Sequence, residues 1–391
     1  MKFGIQNFGL IIGFYFTTFF EIKLIISQTQ ITPDFDTLLT EIFGNVNDSQ
    51  NIKNCSCIST EQCNKYNNSV ITTGEGLIDI RITQCTNSSK PCCDEIRNSQ
   101  VTSQPPSLSP PYRRTKPCGY RHENGVGFRI TSGNNEAQFG EFPWMVAIMS
   151  KTEHGPKYHC GGSLIHLKVV LTAAHCVIAY KDKTDQLILR AGEWDSQSEA
   201  EIISYQERTA DKIIVHNMYL SGPAYNDIAL ILLKENFQFA ENVDLICLPY
   251  PEENVDDTKC VASGWGKDKF GDKGVYQNIL KRVDLPIVPR DKCQNLLRTT
   301  RLGSRFILHV SAICAGGERG TDTCKGDGGS PLVCPIPKKL GYYQQIGIVS
   351  WGISCGEAIP GVYASVPQFR NWIDEQFLNN SLDSSYYQNS K

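Results

Sequence analysis

Three short segments of this 391-residue chain carry residue types that could do proton chemistry: L-T-A-A-H-C at 171–176, N-D-I-A-L at 226–230 and G-D-G-G-S-P at 326–331. An imidazole such as that of His175 titrates near neutrality and can pass a proton, and a carboxylate such as that of Asp227 can orient or stabilise a charged partner. A hydroxyl becomes a nucleophile only within about 3 Å of such a base. The third segment has one hydroxyl, Ser330, two residues beyond Gly328. The sixteen cysteines are the other reactive set. Their spacings lack the paired ligand motifs of zinc sites, so they read as disulfides formed in an oxidising compartment.

These groups need elements to hold them, and the chain supplies two modules. Met1 and Lys2 followed by an apolar stretch from Phe8 to Phe20 fit a secretory signal over 1–27. Glu21 and Lys23 interrupt it before the ~20 apolar residues that a membrane span requires, so no membrane association is expected. Residues 28–52 form an N-terminal segment. Six cysteines (Cys55, Cys57, Cys63, Cys85, Cys92, Cys93) then crowd a stretch poor in large apolar side chains, a mini-domain over 53–95 in which crosslinks replace a core. Six cysteines allow fifteen pairings, and spacing alone does not choose among them. The prolines and small polar residues of 96–129 read as an extended linker. Beyond it, over 130–378, short apolar runs (Trp144–Met149, Val169–Thr172, Ile228–Leu233, Ile346–Trp351) alternate with turn residues, the pattern of a β-barrel domain. Phe369, Trp372, Ile373 and Phe377 stand at helical spacing and predict a terminal core-docking helix, with 379–391 as a tail. A net charge of −3 without long single-sign runs gives no reason to expect nucleic acid as a partner. Asn-x-Ser/Thr sequons at Asn47, Asn54, Asn67, Asn87 and Asn379 agree with a secreted glycoprotein.

The three opening segments, with F-P-W-M at Phe142, C-G-G-S-L-I at Cys160, S-G-W-G at Ser263 and V-S-W-G at Val349, resemble the chymotrypsin-like serine proteases in order and over nearly all of 130–378. The resemblance implies a mainly β, double-barrel fold. It also implies His175 as general base, Asp227 as its orienting carboxylate, and a nucleophilic serine at the position occupied by Gly328. Ser330 does not replace it, because two residues along a turn displace a hydroxyl by about 6 Å. Loss of the nucleophile costs on the order of a million-fold in turnover. The expectation is a pseudo-protease with a remnant triad, and the alternative is an active trypsin-like endopeptidase. Asp322, Gly352 and Gly361 match the pocket positions that select Lys or Arg, either as a surviving pocket or as inherited scaffold, and Gly326 with the amide of Gly328 matches the oxyanion cradle.

The six-cysteine module resembles the clip domain of arthropod haemolymph proteases, and the whole chain resembles the clip-domain serine protease homologues that serve as cofactors in prophenoloxidase activation. That family implies clip pairs Cys55–Cys92, Cys57–Cys85 and Cys63–Cys93. In the large domain it implies Cys160–Cys176, Cys260–Cys334, Cys293–Cys314 and Cys324–Cys355, with Cys118–Cys247 tethering the linker. It implies processing after Arg129, where the new amino group of Ile130 would pair with Asp327, although I-T-S-G stands in place of I-V-G-G. A second candidate is Arg81-Ile82, in a glycine-bearing loop between Cys63 and Cys85; the two sites remain open. The acidic run at 190–201 resembles the family's calcium loop, with Glu193, Asp195 and Glu201 as hard oxygen ligands, or else it is a solvated loop. The implied role is extracellular, in haemolymph: processed by an upstream clip-domain protease, the protein would bind prophenoloxidase, form a homo-oligomer after cleavage, and support melanisation in innate immunity.

Overall fold

Period-two burial organises the larger part of the chain. In Leu187–Ala191, for example, Leu187, Leu189 and Ala191 are buried while Ile188 and Arg190 are half-buried, the alternation of a strand with one face on a core. The computed structural model describes residues 114, 116–127, 135–197, 201–251, 258–267, 274–318, 327–353 and 358–389, together with the strand backbone at 55–57 and 92–94. Two units are distinguished, 1–107 and 108–391. In the first, β1 (Cys55–Cys57) pairs antiparallel with β2 (Cys92–Asp94), placing Cys57 opposite Cys92 in register.

The second unit holds two closed antiparallel barrels. The first comprises β3 (Met145–Thr152), β4 (Gly155–His166), β5 (Val169–Thr172), β6 (Leu187–Ala191), β7 (Gln206–Val215) and β8 (Ala229–Leu233), closed in the order 3-4-5-8-7-6. The second comprises β9 (Lys259–Gly264), β10 (Lys281–Val288), β11 (Ala312–Gly316), β12 (Pro331–Pro335), β13 (Tyr343–Trp351) and β14 (Pro360–Ser365), closed in the order 10-11-14-13-12-9. Closure leaves no free sheet edge. The four apolar runs singled out in the sequence coincide with strands apart from their first residues Trp144 and Ile228, and the mainly β double barrel expected from it is the fold observed.

Among the described residues three α-helices decorate the barrels: the single turn α1 (Ala174–Val177), α2 (Arg290–Arg298) and α3 (Val366–Asn379). α3 buries Phe369, Ile373 and Phe377, with Trp372 half-buried beside them. Residues beyond it continue to pack. A 3₁₀ turn at Ser384–Tyr387 buries Tyr387, whose hydroxyl donates to Asp374 at 2.5 Å, and Gln388 bridges Leu248. Asn379, the sequon residue, is exposed.

Residues 116–127, part of the expected linker, also lie on this unit. Gly119 exchanges backbone hydrogen bonds of 2.7 Å with Leu245 and Tyr343. Its φ is +82° and a Cβ there would stand 2.1 Å from the Tyr343 carbonyl oxygen, so both conformation and space require glycine. Cys118 is bonded to Cys247 next to it. Arg121 is buried and donates from Nε to Glu141 Oε1 at 2.9 Å, with a second donation from the same guanidinium and a third to the Tyr343 hydroxyl. Glu141 is 1% exposed; its other oxygen accepts the Gln138 amide at 2.8 Å, and Arg282 stands further off at 3.8 Å. Arg121→Ala would leave that carboxylate buried without its main counter-charge and is expected to cost about 3–5 kcal/mol in urea unfolding. A loss below about 1 kcal/mol would show that segment 116–127 does not depend on the pair.

Candidate active site and its surroundings

The cleft between the barrels gathers the first two segments of the sequence. Thr172 ends β5, and α1 turns His175 back toward Asp227, two residues before β8. Asp227, 1% exposed, receives the His175 amide at 2.8 Å on Oδ1 and faces His175 Nδ1 at 2.7 Å through Oδ2. Ser350, in β13 of the other barrel, donates its hydroxyl to the same Oδ2 at 2.6 Å. The V-S-W-G segment was read only as a family mark; nothing local in it announces that its serine seals the carboxylate. Three donors thus satisfy a buried charge, and the imidazole is held with Nε2 directed away from Asp227.

Nε2 meets Gly328. The turn carrying this residue is held at several points: Gly161 donates to the Gly328 carbonyl at 2.9 Å, Gly329 to Val349 at 2.9 Å and Ser330 to Asp327 at 2.9 Å. Gly329 has φ +79° and no room for a Cβ, which would lie 2.2 Å from Thr172 Oγ1. A Cβ on Gly328 would lie 2.6 Å from His175 Nε2 and 3.2 Å from its Cε1. The ring therefore stands against the bare α-carbon, inside the distance that a side chain at 328 would need.

Ser330 points elsewhere. It is 0% exposed, and its Oγ lies where a Cβ on Gly161 would come within 1.9 Å and one on Gly264 within 3.1 Å. This is the interior between β4 and β9 rather than the cleft. Beside it is the Tyr158 phenol, and both buried hydroxyls lack a well-formed hydrogen bond. Burial, and then the nearby Asp327 carboxylate, push the Tyr158 phenol well above its usual range. Asp327 accepts from the Gly266 amide at 2.9 Å. Tyr158 precedes the C-G-G motif by two residues and carried no signal in the sequence; only the fold brings it to Ser330 and Asp327.

The acidic run folds around Glu201. Its Oε1 accepts the amides of Trp194 at 2.7 Å and Asp195 at 3.0 Å, while its Oε2 is buried without a partner. Burial raises the Glu201 carboxyl to about 7, the two amides oppose this, and neighbouring Glu193 adds to the rise. Glu193 is buried and paired with Arg190 at 2.7 Å, and Asp195 Oδ1 accepts from Gln197 at 3.1 Å. An orphaned carboxylate oxygen next to a second buried carboxylate suits a hard cation, with Asp195 turned partly aside. The described residues give one tighter cluster of metal-ligand types, Cys160, His175 and Cys176, but its two sulfurs are bonded to each other and offer no thiolate.

Further disulfides among the described residues join Cys118 to Cys247, Cys260 to Cys334 and Cys293 to Cys314. Gly352 is exposed and Gly361 is buried in β14. Asp322, Cys324, Gly326, Cys355, both candidate processing sites (Arg81-Ile82 and Arg129-Ile130) and the side chains of the clip cysteines lie outside the described residues. Ser330→Ala removes a buried hydroxyl that has no well-formed bond, so it is expected to change the melting temperature by less than about 2 °C. A clear loss of stability would show that the Tyr158–Ser330 contact is a formed hydrogen bond.

Comparison with known proteins places these features. The trypsin family model matches residues 131–373, and the model described as serine protease clip domain PPAF-2 matches residues 45–94. Phenoloxidase-activating factor 2 of Galleria mellonella is 49% identical over 299 residues, covering 73% of this chain and 96% of that protein. Inactive CLIP domain-containing serine proteases A8 and A28 of Anopheles gambiae are 43% and 37% identical. They cover 66% and 75% of this chain, and 70% and 78% of their own lengths. The relatives named inactive mark a pseudo-protease branch, and the chain belongs to the trypsin family as one of the clip-domain serine protease homologues of insects.

Proposed function

We propose that this protein is a secreted, non-catalytic cofactor: it binds prophenoloxidase and an upstream clip-domain protease, is itself processed, and supports phenoloxidase activation and melanisation. The observation that carries the reading is the contact of His175 Nε2 with a residue that has no side chain. Gly328 stands at the nucleophile position, Ser330 is turned into the interior, and the base and its carboxylate have nothing to activate. Removing only the nucleophile leaves the fold and its recognition surfaces in place, which suits a protein that binds. The name of the Galleria relative and the clip-domain match supply the pathway. Secretion follows from the apolar leader and the cysteine content, and among the described residues no helix is long and apolar enough to cross a membrane.

A serine-directed fluorophosphonate probe is expected to leave the processed protein unlabelled under conditions that label trypsin fully, and stoichiometric labelling would sink the reading. In a reconstituted mixture of prophenoloxidase and its activating protease, adding the processed chain is expected to raise phenoloxidase activity. No increase would remove the cofactor role.

We also propose that Glu193 and Glu201, with Asp195, hold a calcium ion. The support is the unpartnered Glu201 oxygen beside Glu193, for which Arg190 would have to release its bond. Saturating calcium at about 100 times its dissociation constant is expected to stabilise the fold by about 2.7 kcal/mol, seen as a higher melting temperature. Glu201→Gln should abolish that increment, and a calcium-independent melting temperature in the unsubstituted protein would overturn the assignment.

A further inference from the structure

With no hydroxyl at 328, the His175–Asp227 pair still has one reactive bond in reach, and it is a disulfide. His175 Nε2 lies 3.5 Å from Cys176 Sγ, within hydrogen-bond distance for sulfur, and the imidazole side chain is 35% exposed. A Cβ on Gly328 would crowd both atoms, standing 2.6 Å from Nε2 and 3.7 Å from that sulfur. The bare α-carbon leaves carboxylate, imidazole and disulfide in one row: Asp227 Oδ2 faces Nδ1 at 2.7 Å, Nε2 faces Cys176 Sγ, and Cys176 is bonded to Cys160.

A disulfide opens when a thiolate attacks one sulfur and the other leaves, and the leaving sulfur departs faster when its thiolate is stabilised. An imidazolium in contact with a cysteine gives that stabilisation. Cys160 is the more exposed partner, 5% against 1% for Cys176, so access favours attack on Cys160 and departure of Cys176 toward Nε2. The other described disulfides lack this arrangement. The sulfurs of Cys118 and Cys260 face the carbonyl oxygens of Gln388 and Thr258, each at 3.5 Å, and a carbonyl dipole opposes a thiolate. Cys293–Cys314 is fully buried among Val288, Leu297 and Leu308. Both members of the candidate pair are also held in place by backbone. Cys160 lies in β4 opposite Ile148, and the Cys176 carbonyl meets His159 Nε2 at 2.8 Å, so the two sulfurs stay beside His175 when the bond between them is broken.

We propose that Cys160–Cys176 is a redox-active disulfide, opened by low-molecular-weight thiols with His175 and Asp227 as its acid–base pair. A thiol RSH gives its proton to His175 Nε2 while its sulfur attacks Cys160. The Cys160–Cys176 bond breaks as the RS–Cys160 bond forms, and the electron pair leaves on Cys176 as a thiolate paired with the imidazolium, which Asp227 stabilises. A second RSH attacks the R-bearing sulfur of the mixed disulfide, releasing RSSR and leaving its proton on Cys160. Two thiols are oxidised to one disulfide and the protein disulfide is reduced. The reduced site holds a thiolate, an imidazolium and a carboxylate in a row, so its nucleophile is Cys176 rather than a hydroxyl. This chemistry is independent of any role in phenoloxidase activation.

The test incubates the full chain with glutathione near neutral pH and follows each disulfide by timed alkylation and mass spectrometry. Cys160–Cys176 is expected to open at least tenfold faster than Cys260–Cys334 or Cys293–Cys314, and limiting iodoacetamide should then mark Cys176 before Cys160. Gly328→Ala crowds Nε2 while keeping every acid–base group. It is expected to slow the opening of Cys160–Cys176 severalfold and to leave the other two rates unchanged. His175→Gln should bring the rate down to that of the other two and erase the alkylation preference for Cys176. Circular dichroism will verify the folding of both variants, and if His175→Gln does not fold, Gly328→Ala decides alone. Equal opening rates for the three disulfides would overturn the proposal. So would a rate for Cys160–Cys176 that is unaltered in either folded variant.

Discussion

A carboxylate buried at the seam of two barrels governs much of this molecule. Asp227 takes two bonds from His175 and one from Ser350, and these donors come from different barrels. Withdrawing a partner from a buried charge costs several kcal/mol, whatever the charge is used for. His175 and Asp227 are thus held together by the same arithmetic that holds a core residue in place. Position 328 is under no such constraint: it carries no buried charge, and no side chain there closes a hydrogen bond of the turn. Glycine at 328 lets the imidazole settle against the backbone, while the turn around it is held by bonds that do not involve that side chain.

The buried Arg121–Glu141 pair has the same logic elsewhere in the domain. Arg121 and Glu141 lie twenty residues apart in sequence but meet beneath Tyr343, more than two hundred residues further on. With Gly119 and the Cys118–Cys247 bond, they make the stretch before the barrels part of the barrel unit. The segment after α3 behaves similarly, because Tyr387 finds an acceptor on Asp374 and a buried slot among aromatic side chains.

The barrels, the clip module and the altered G-D-G-G-S-P segment were legible because each is written in local terms: alternating burial, cysteine density, or a short motif. Phe369, Ile373 and Phe377 announced α3 by spacing alone. What stayed hidden depends on distant partners. Residues 116–127 looked like an extension of the proline-rich linker, since nothing nearby reveals that Glu141 awaits Arg121. Residues 379–391 were read only as a tail, and the buried Tyr387 ring among the described residues is explained only by the surface of α3. Tyr158 had no local mark because its hydroxyl matters through Ser330 and Asp327, which arrive from another barrel. Asp195 looked equivalent to Glu193 and Glu201 in composition, but the fold gives its carboxylate a local amide to hold.

The Cys118–Cys247 bond spans 129 residues and so encloses all six strands of the first barrel in one covalent loop. A backbone cut anywhere between those two cysteines opens the loop without dividing the molecule. Cutting and separating are thereby made independent operations. Proteolysis within the loop can create new chain ends, with their freedom and charge, at no loss of mass, and the amino-terminal portion stays in tow until a reductant intervenes. A chain cut once inside the loop would therefore diffuse as one body, two polypeptides with a single diffusion coefficient.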